Sequence, residues 1–394
     1  MERAELEWLA EDQVDIYDAS GKVLYFSLRS FVEKIAWGSV CFICGAQPGT
    51  VTFNDEHVIP DWILSRHKLH GRLITLPNLA DLKYGQYTVP CCQQCNSLMS
   101  ETFEKPISDL VRQGYKAVIN YLQEESPWLI FQWLSLIYLK THLKDRHLRF
   151  HLDRRKGDET IATIYDWKEL HHIHCIARSF YTGATLRPEV LGTLFVWPSR
   201  SLRSEETFDY GDSHHGRTVL LRLGDIAFIA VLNDSNAVAS NFSESLNRLA
   251  GPLSSLQLRE LMTRMAIANI HLAKRPTYRS DFEDVYANPE LPNELQSKGA
   301  YTISAILPEA PVLEKLNEQM LGEMLLFNLE GLIRSLMPEQ DQERLLAALA
   351  RGNISFIFDD EGNFLINPKP VPEESVPAVS FRFRDVSPSK EGLP

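Results

Sequence analysis

Glu56 and His57 stand side by side in the stretch Asn54-Asp55-Glu56-His57-Val58-Ile59-Pro60, and a Cys-x-x-Cys pair lies on either side, Cys41/Cys44 before it and Cys92/Cys95 after it. A carboxylate beside an imidazole suits metal-assisted phosphodiester cleavage. The carboxylate holds a hard cation and the neutral imidazole takes a proton from water. The cation would then offset negative charge on the phosphate and on the leaving oxygen. The cysteines answer a different need. Each pair places two sulfurs about one tight turn, and two such turns complete a tetrahedral zinc site with no position left for substrate. Bound zinc would supply on the order of 10 kcal/mol of folding free energy to a module with a thin apolar core. Cys91 adjoins Cys92, which leaves the sulfur register open by one residue.

These groups need elements to hold them. Residues 12–28 alternate apolar and polar on either side of Ser20-Gly21, the pattern of a β-hairpin, and a short helix is expected over residues 27–37. Pro60 ends the strand that carries Glu56 and His57. A helical stretch is expected over residues 107–123 after Pro106, and an apolar, mostly buried helix over residues 126–143. Beyond residue 158, two runs, 193–199 and 217–233, have the pattern of strands, the second folding back at Leu223-Gly224-Asp225. Residues 254–274 fit a long amphipathic helix. Residues 276–310, rich in Pro, Asn, Asp and Ser, have the composition of loop. Two helices, over residues 311–337 and 338–352, precede a hairpin turning at Asp359-Asp360-Glu361-Gly362.

Residues 41–104, with a leading cysteine pair, the acid-His-aliphatic-aliphatic-Pro run, the mid-motif Asn78-Leu79 and a second cysteine pair followed at once by Asn96, resemble a zinc-stapled HNH endonuclease. The resemblance implies a ββα-metal unit in which Cys41, Cys44, Cys92 and Cys95 hold structural Zn²⁺. Within that unit His57 is the general base, Glu56 a ligand of a catalytic Mg²⁺ or Mn²⁺, Asn78 the residue that orients the base, and Asn96 the helix residue facing the metal. Glu104, eight residues past Asn96 and about 80° from it around a helix, is a further carboxylate that could reach the metal. Glu56 stands where Asp is commoner, and the insertion at 66–87 is longer than the minimal motif.

The implied activity is metal-dependent cleavage or nicking of DNA, with double-stranded DNA and a partner subunit of a bacterial defence or restriction system as expected partners. The alternative is a noncatalytic zinc-stapled module that binds DNA or protein. A net charge of −12 argues against nonspecific nucleic-acid binding by bulk electrostatics. Within residues 140–156, however, Lys144, Arg146, Arg149, Arg154, Arg155 and Lys156 form a basic stripe that could meet phosphates.

Other chemistry-bearing residues have plainer readings. His171, His174 and Cys175 share a helical face, but no second cluster with metal spacing accompanies them, so a packed helix is expected. His67 and His70 fall in the insertion and read as surface residues, His214 and His215 as loop. Trp128, Trp133 and Tyr138 recur near a helical period and read as core. The acidic N-terminus lacks the pattern of a signal peptide and no apolar run reaches the length of a membrane span, so the expectation is a cytoplasmic protein without membrane contact.

The expected class is α+β: a small zinc-stapled ββα-metal module followed by helices and a larger mixed α/β region. The expected divisions are 1–37, a hairpin and helix packing on the module; 38–157, the nuclease domain with its following helices; 158–367, a mixed region serving regulation or target recognition; and 368–394, a Pro-rich flexible tail.

Overall fold

The alternation around Ser20-Gly21 produces the expected hairpin, with β1 (Ile16–Tyr17) and β2 (Val23–Tyr25) paired antiparallel and Gly21 at φ +82°, a turn conformation glycine takes without a Cβ penalty. The structure is a computed structural model that describes residues 14–203, 207–287, 295–309, 312–351, 355–359, 364–365 and 379–380. The hairpin leads into a helical segment over Leu28–Ala36, π-wound from Phe31 onward.

The cysteine module follows. Strand β3 (Phe53–His57) pairs antiparallel with β6 (Thr88–Cys92), in the register Phe53 opposite Cys92 and His57 opposite Thr88. Between them, Pro60 ends the first strand and starts the short helix α1 (Asp61–Arg66), and the inserted segment folds on itself as β4 (Leu73–Thr75) against β5 (Asp81–Lys83). From Cys92 the chain enters α2 (Gln93–Met99), passes through one π turn at Ser100–Glu104 and continues as α3 (Lys105–Arg112). Instead of one helix over 107–123, the chain breaks at Gly114, φ +90°, and restarts as α4 (Tyr115–Glu124). Helix α5 (Trp128–Asp145) is apolar on nearly all sides and buried along most of its length, with Trp133 and Tyr138 in the core. Helix α6 (Trp167–Ala177) packs beside it.

The second half is built on an antiparallel sheet in the order β16-β8-β11-β10-β9: β8 (Thr193–Pro198), β9 (Phe208–Ser213), β10 (Thr218–Leu223), β11 (Ile226–Val231) and β16 (Val379–Ser380). The expected hairpin is β10–β11, turning at Gly224 with φ +67°. Period-two alternation divides its side chains between two cores. Leu194, Val196, Leu221 and Phe228 face the core that holds α5, where Phe228 meets Trp133 edge-on. Phe195, Trp197, Leu220 and Ile229 face α8 (Ser255–Ile270) and its Leu258, Met262 and Met265. Helix α7 (Ala237–Leu246) covers the same side. A reciprocal capping box, in which Ser254 and Gln257 satisfy each other's backbone N–H groups, starts α8.

Residues 276–310 correct the sequence reading. Four strands lie there: β12 (Thr277–Phe282), β13 (Val285–Ala287), β14 (Leu295–Ser297) and β15 (Tyr301–Ile306). In β12 exposed and half-buried residues alternate strictly, and this pattern outweighs a loop-like composition. Strand β15 pairs with β12 and with the short β7 (Thr185–Leu186), while β14 pairs parallel with β1, tying the N-terminal hairpin to the second half. The two late helices are α9 (Glu318–Leu336), capped by Asn317 and shorter at its start than expected, and α10 (Glu339–Ala350). Phe358 and Phe364 bridge as the flanks of the last hairpin, whose turn lies outside the described residues from position 360 on, as does the tail apart from Val379–Ser380 on β8. The chain is thus a mixed α+β protein, and no helix among the described residues is long and apolar enough to cross a membrane.

Candidate functional site

The first knuckle is a tight turn in which Gly45 donates to the Cys41 carbonyl at 2.8 Å and Cys41 donates to the Ala46 carbonyl at 2.9 Å. Gly45 is required twice over. Its φ is +78°, and a Cβ there would come within 2.7 Å of the Phe26 ring. The second knuckle is the start of α2, where the Cys92 sulfur accepts a hydrogen bond from the Cys95 backbone N–H at 3.4 Å. Together Cys41, Cys44, Cys92 and Cys95 bring four sulfurs within 4.8 Å of one another. In a tetrahedral ZnS₄ centre with bonds of about 2.3 Å, neighbouring sulfurs stand about 3.8 Å apart. The Cys44–Cys92 separation is 3.6 Å. The four cysteines are therefore positioned to hold a metal ion, and both donor chemistry and spacing fit structural zinc. Hydrogen bonding from Cys44, Cys91 and Cys95 holds the Cys41 thiol far below its usual range, while the bond to Cys41 pushes Cys44 up to about 12 and Cys95 higher still.

Cys91 lies outside the four, with its sulfur 3.7 Å from that of Cys41. Cys92 is the member whose sulfur lies within 4.8 Å of those of Cys41, Cys44 and Cys95. Helix α6 grips the first knuckle from behind: His171 Nε2 lies 2.8 Å from the Phe26 carbonyl, His174 Nε2 lies 2.7 Å from that of Phe42, and Arg178 donates to that of Ile43 at 2.6 Å. The histidine run is a packed helix, as expected, and its packing supports the cysteine site.

At the far end of the β3–β6 hairpin lies a second group of polar residues. Glu56 is 7% exposed and accepts a 2.7 Å hydrogen bond from Lys140, itself 3% exposed. The Lys140 ammonium also donates to the His57 carbonyl at 2.7 Å. Glu56, expected as a ligand of a catalytic cation, is thus neutralised by a buried lysine from α5. The next side chain along the strand, His57, turns the other way and is part-exposed. Its Nδ1 is 3.8 Å from Asp61 Oδ1, and His70 Nε2 is 2.8 Å from the same oxygen. The rings of His57 and His70 meet edge to face at 6.0 Å. All three donor atoms lie within 4.8 Å of one another.

From the cysteine end, α2 and its π turn extend about 17 Å at ~1.5 Å per residue to Glu104, and the strand from Phe53 to His57 spans roughly 13 Å. Burial pushes the Glu104 carboxyl up to about 7; Lys140 pulls it back, while Glu56 and Asp61 push it further. Glu104 lines a cleft of about 350 Å³ with Trp62, Ser100, Lys105, Asp109 and Arg112. Asn96 is half-buried near the other end of the helix, directly after Cys95, and its side chain makes no hydrogen bond among the described residues. Asn78 donates to the Arg149 carbonyl at 3.0 Å and accepts from Ala80 N–H at 3.2 Å, so it fastens its own turn and is not bonded to His57.

The basic stripe is not one face. Arg146 is buried and donates to the Gly38 carbonyl at 2.8 Å, which takes it out of any phosphate-contacting surface. Arg149 pairs with Asp158 at 2.6 Å and Arg155 with Asp153 at 2.8 Å, while Lys144 is half-buried and Arg154 and Lys156 are exposed. The stripe breaks because Lys140 and Arg146 belong to the end of a buried helix and only the residues after it reach the surface. His70 is 46% exposed, whereas His67 is half-buried and bonded to Thr207 at 3.0 Å.

Three participants escaped the sequence reading. Asp61 follows His57 by four residues, but the Pro60 break removed any helical-face argument; His70 lay in an insertion. Lys140 carried a usable signal: a lysine within an apolar helix needs a buried carboxylate. No family model matches the chain, and neither a curated protein nor a solved structure does.

Proposed function

We propose that this protein is a metal-dependent endonuclease or nickase of the zinc-stapled HNH kind, hydrolysing DNA phosphodiester bonds at the His57 end of the β3–β6 hairpin. One observation carries the reading. An antiparallel strand pair and the helix that follows it hold a four-cysteine cluster at one end and His57, Asp61, His70 and Glu104 at the other. A cysteine site that served folding alone would not need such a polar end. In this reading water attacks phosphorus, its proton passes to His57, the P–O bond to the leaving oxygen breaks and that oxygen takes a proton from solvent, while a divalent cation held at this end would offset the phosphate charge. A role in phage defence or restriction, and a partner subunit, follow from the family resemblance alone.

The test is plasmid nicking by purified wild type and His57→Ala, with Mg²⁺ or Mn²⁺ added or withheld and zinc content measured in both. We expect cleavage that requires the added ion and falls at least about a hundredfold in the zinc-replete variant, the range of a lost general base.

The Glu56–Lys140 pair favours a second reading, a noncatalytic module that binds DNA or protein, because a buried ammonium occupies the carboxylate that the resemblance gives to the metal. A zinc-replete wild type that shifts DNA in a gel but never cuts it would select this reading.

A further inference from the structure

We infer that His57, Asp61 and His70 form a second metal site, separate from the cysteines, that takes a first-row transition ion such as Mn²⁺, Co²⁺, Ni²⁺ or Zn²⁺ through two imidazole nitrogens and one carboxylate oxygen. Donors each about 2.1 Å from one ion stand roughly 3 to 3.4 Å apart. The separations of 2.8 Å and 3.8 Å from Asp61 Oδ1 bracket that range, so small side-chain rotations close the site. Two imidazoles select borderline transition ions over Mg²⁺, which prefers oxygen and retains its waters. Three protein ligands leave coordination positions open, the arrangement of a working metal, where four thiolates close theirs.

The backbone prepares this geometry. Pro60, at φ −48°, ends β3 and turns the chain so that Asp61, the first residue of α1, comes back over His57. His70 is steadied from behind by Gly85, whose N–H donates to the His70 carbonyl at 3.2 Å and whose missing side chain lets the two backbones approach; a Cβ there would stand 3.1 Å from that carbonyl oxygen. Glu56 is already satisfied by Lys140 and is not required. The occupancy of this site rests on its geometry alone, while its use in cleavage rests on the nuclease reading above and revises one role within it, His57 becoming a ligand and no longer the proton acceptor.

The test titrates the zinc-replete full chain with Mn²⁺, followed by electron paramagnetic resonance, and with Co²⁺, followed by calorimetry and visible absorption. One equivalent should bind without thiolate-to-cobalt charge transfer, and its affinity should fall at least about tenfold in Asp61→Ala and in His70→Ala. Asp61 and His70 are 60% and 46% exposed, so neither substitution strips the core, and zinc content with circular dichroism verifies the fold. A wild type that binds no such equivalent, or variants that bind it as tightly, would overturn the site. A wild type that binds the ion and cuts no plasmid leaves the site standing and removes the nuclease reading.

Discussion

At the scale of single residues, the decisive contact is Lys140 on Glu56. Both side chains are buried, so each charge has given up its water and depends on the other. Lys140→Met should therefore cost about 3–5 kcal/mol by leaving a buried carboxylate unpaired, read as a fall in the urea midpoint. Lys140→Met combined with Glu56→Gln should regain most of it, because neither remaining group needs a counter-charge. A double variant no more stable than the single one would show that the ammonium serves mainly through its bond to the His57 carbonyl. Glu56 and His57 are neighbours in sequence but serve opposite sides of the strand, one facing the core and the other the three-donor group.

At the scale of elements, α6 and the first cysteine knuckle form one unit. Arg178, just past the end of α6 and 1% exposed, donates to the carbonyls of Ile43, Val23 and Leu24 and lies over the Phe26 ring at 4.6 Å. A planar guanidinium reaches the three carbonyls from three separate nitrogens in a rigid fork, whereas a lysine ammonium offers all its donors from one nitrogen on a flexible stem. Charge-assisted bonds of this kind are worth roughly 1.5–3 kcal/mol each, so Arg178→Lys should lower stability by about 2 kcal/mol or more. It should also quicken zinc loss to a chelator, since Ile43 lies between the two cysteines of the knuckle. Zinc release at the wild-type rate in a destabilised variant would separate the clamp from the metal site.

At the scale of the whole molecule, α5, α6 and β9 with the turn after it carry ionisable side chains set wholly or partly into the interior. Burial pushes Asp145 up to about 8 and Asp212 up to about 6, although Tyr87 donates to Asp145 at 2.8 Å. Burial also lowers His172 and His214, each to about 3. The signs differ. A carboxyl raised in the fold stays protonated there while the unfolded chain ionises, so stability falls as pH rises from about 4 to the folded value, by at most ~1.4 kcal/mol per unit for each group. A histidine lowered in the fold loses stability as pH falls below about 6.5 toward its folded value. Above neutrality the histidine contribution is constant, and of these four groups only Asp145 still titrates. Wild type should lose urea resistance between pH 7 and pH 8.5, and Asp145→Asn should lose less. Parallel losses in the two proteins would refute the assignment.

Local spacing in the sequence determined the two cysteine knuckles, the N-terminal hairpin, the β10–β11 hairpin and the apolar helix α5, because each depends on a turn residue or a periodicity contained within a short segment. Residues 276–310 misled because composition suggested loop where the alternation in β12 and its pairing with β15 supply the order. Tertiary structure alone chose Cys92 over Cys91, buried Lys140 against Glu56 across 84 positions, removed Arg146 from the surface stripe and drew His70 onto Asp61 beside His57. Each of these is a contact between segments far apart in the chain or folded across a break such as Pro60. Periodicity indicates which face of an element is apolar; it says nothing of which charged side chain arrives from another element to meet it.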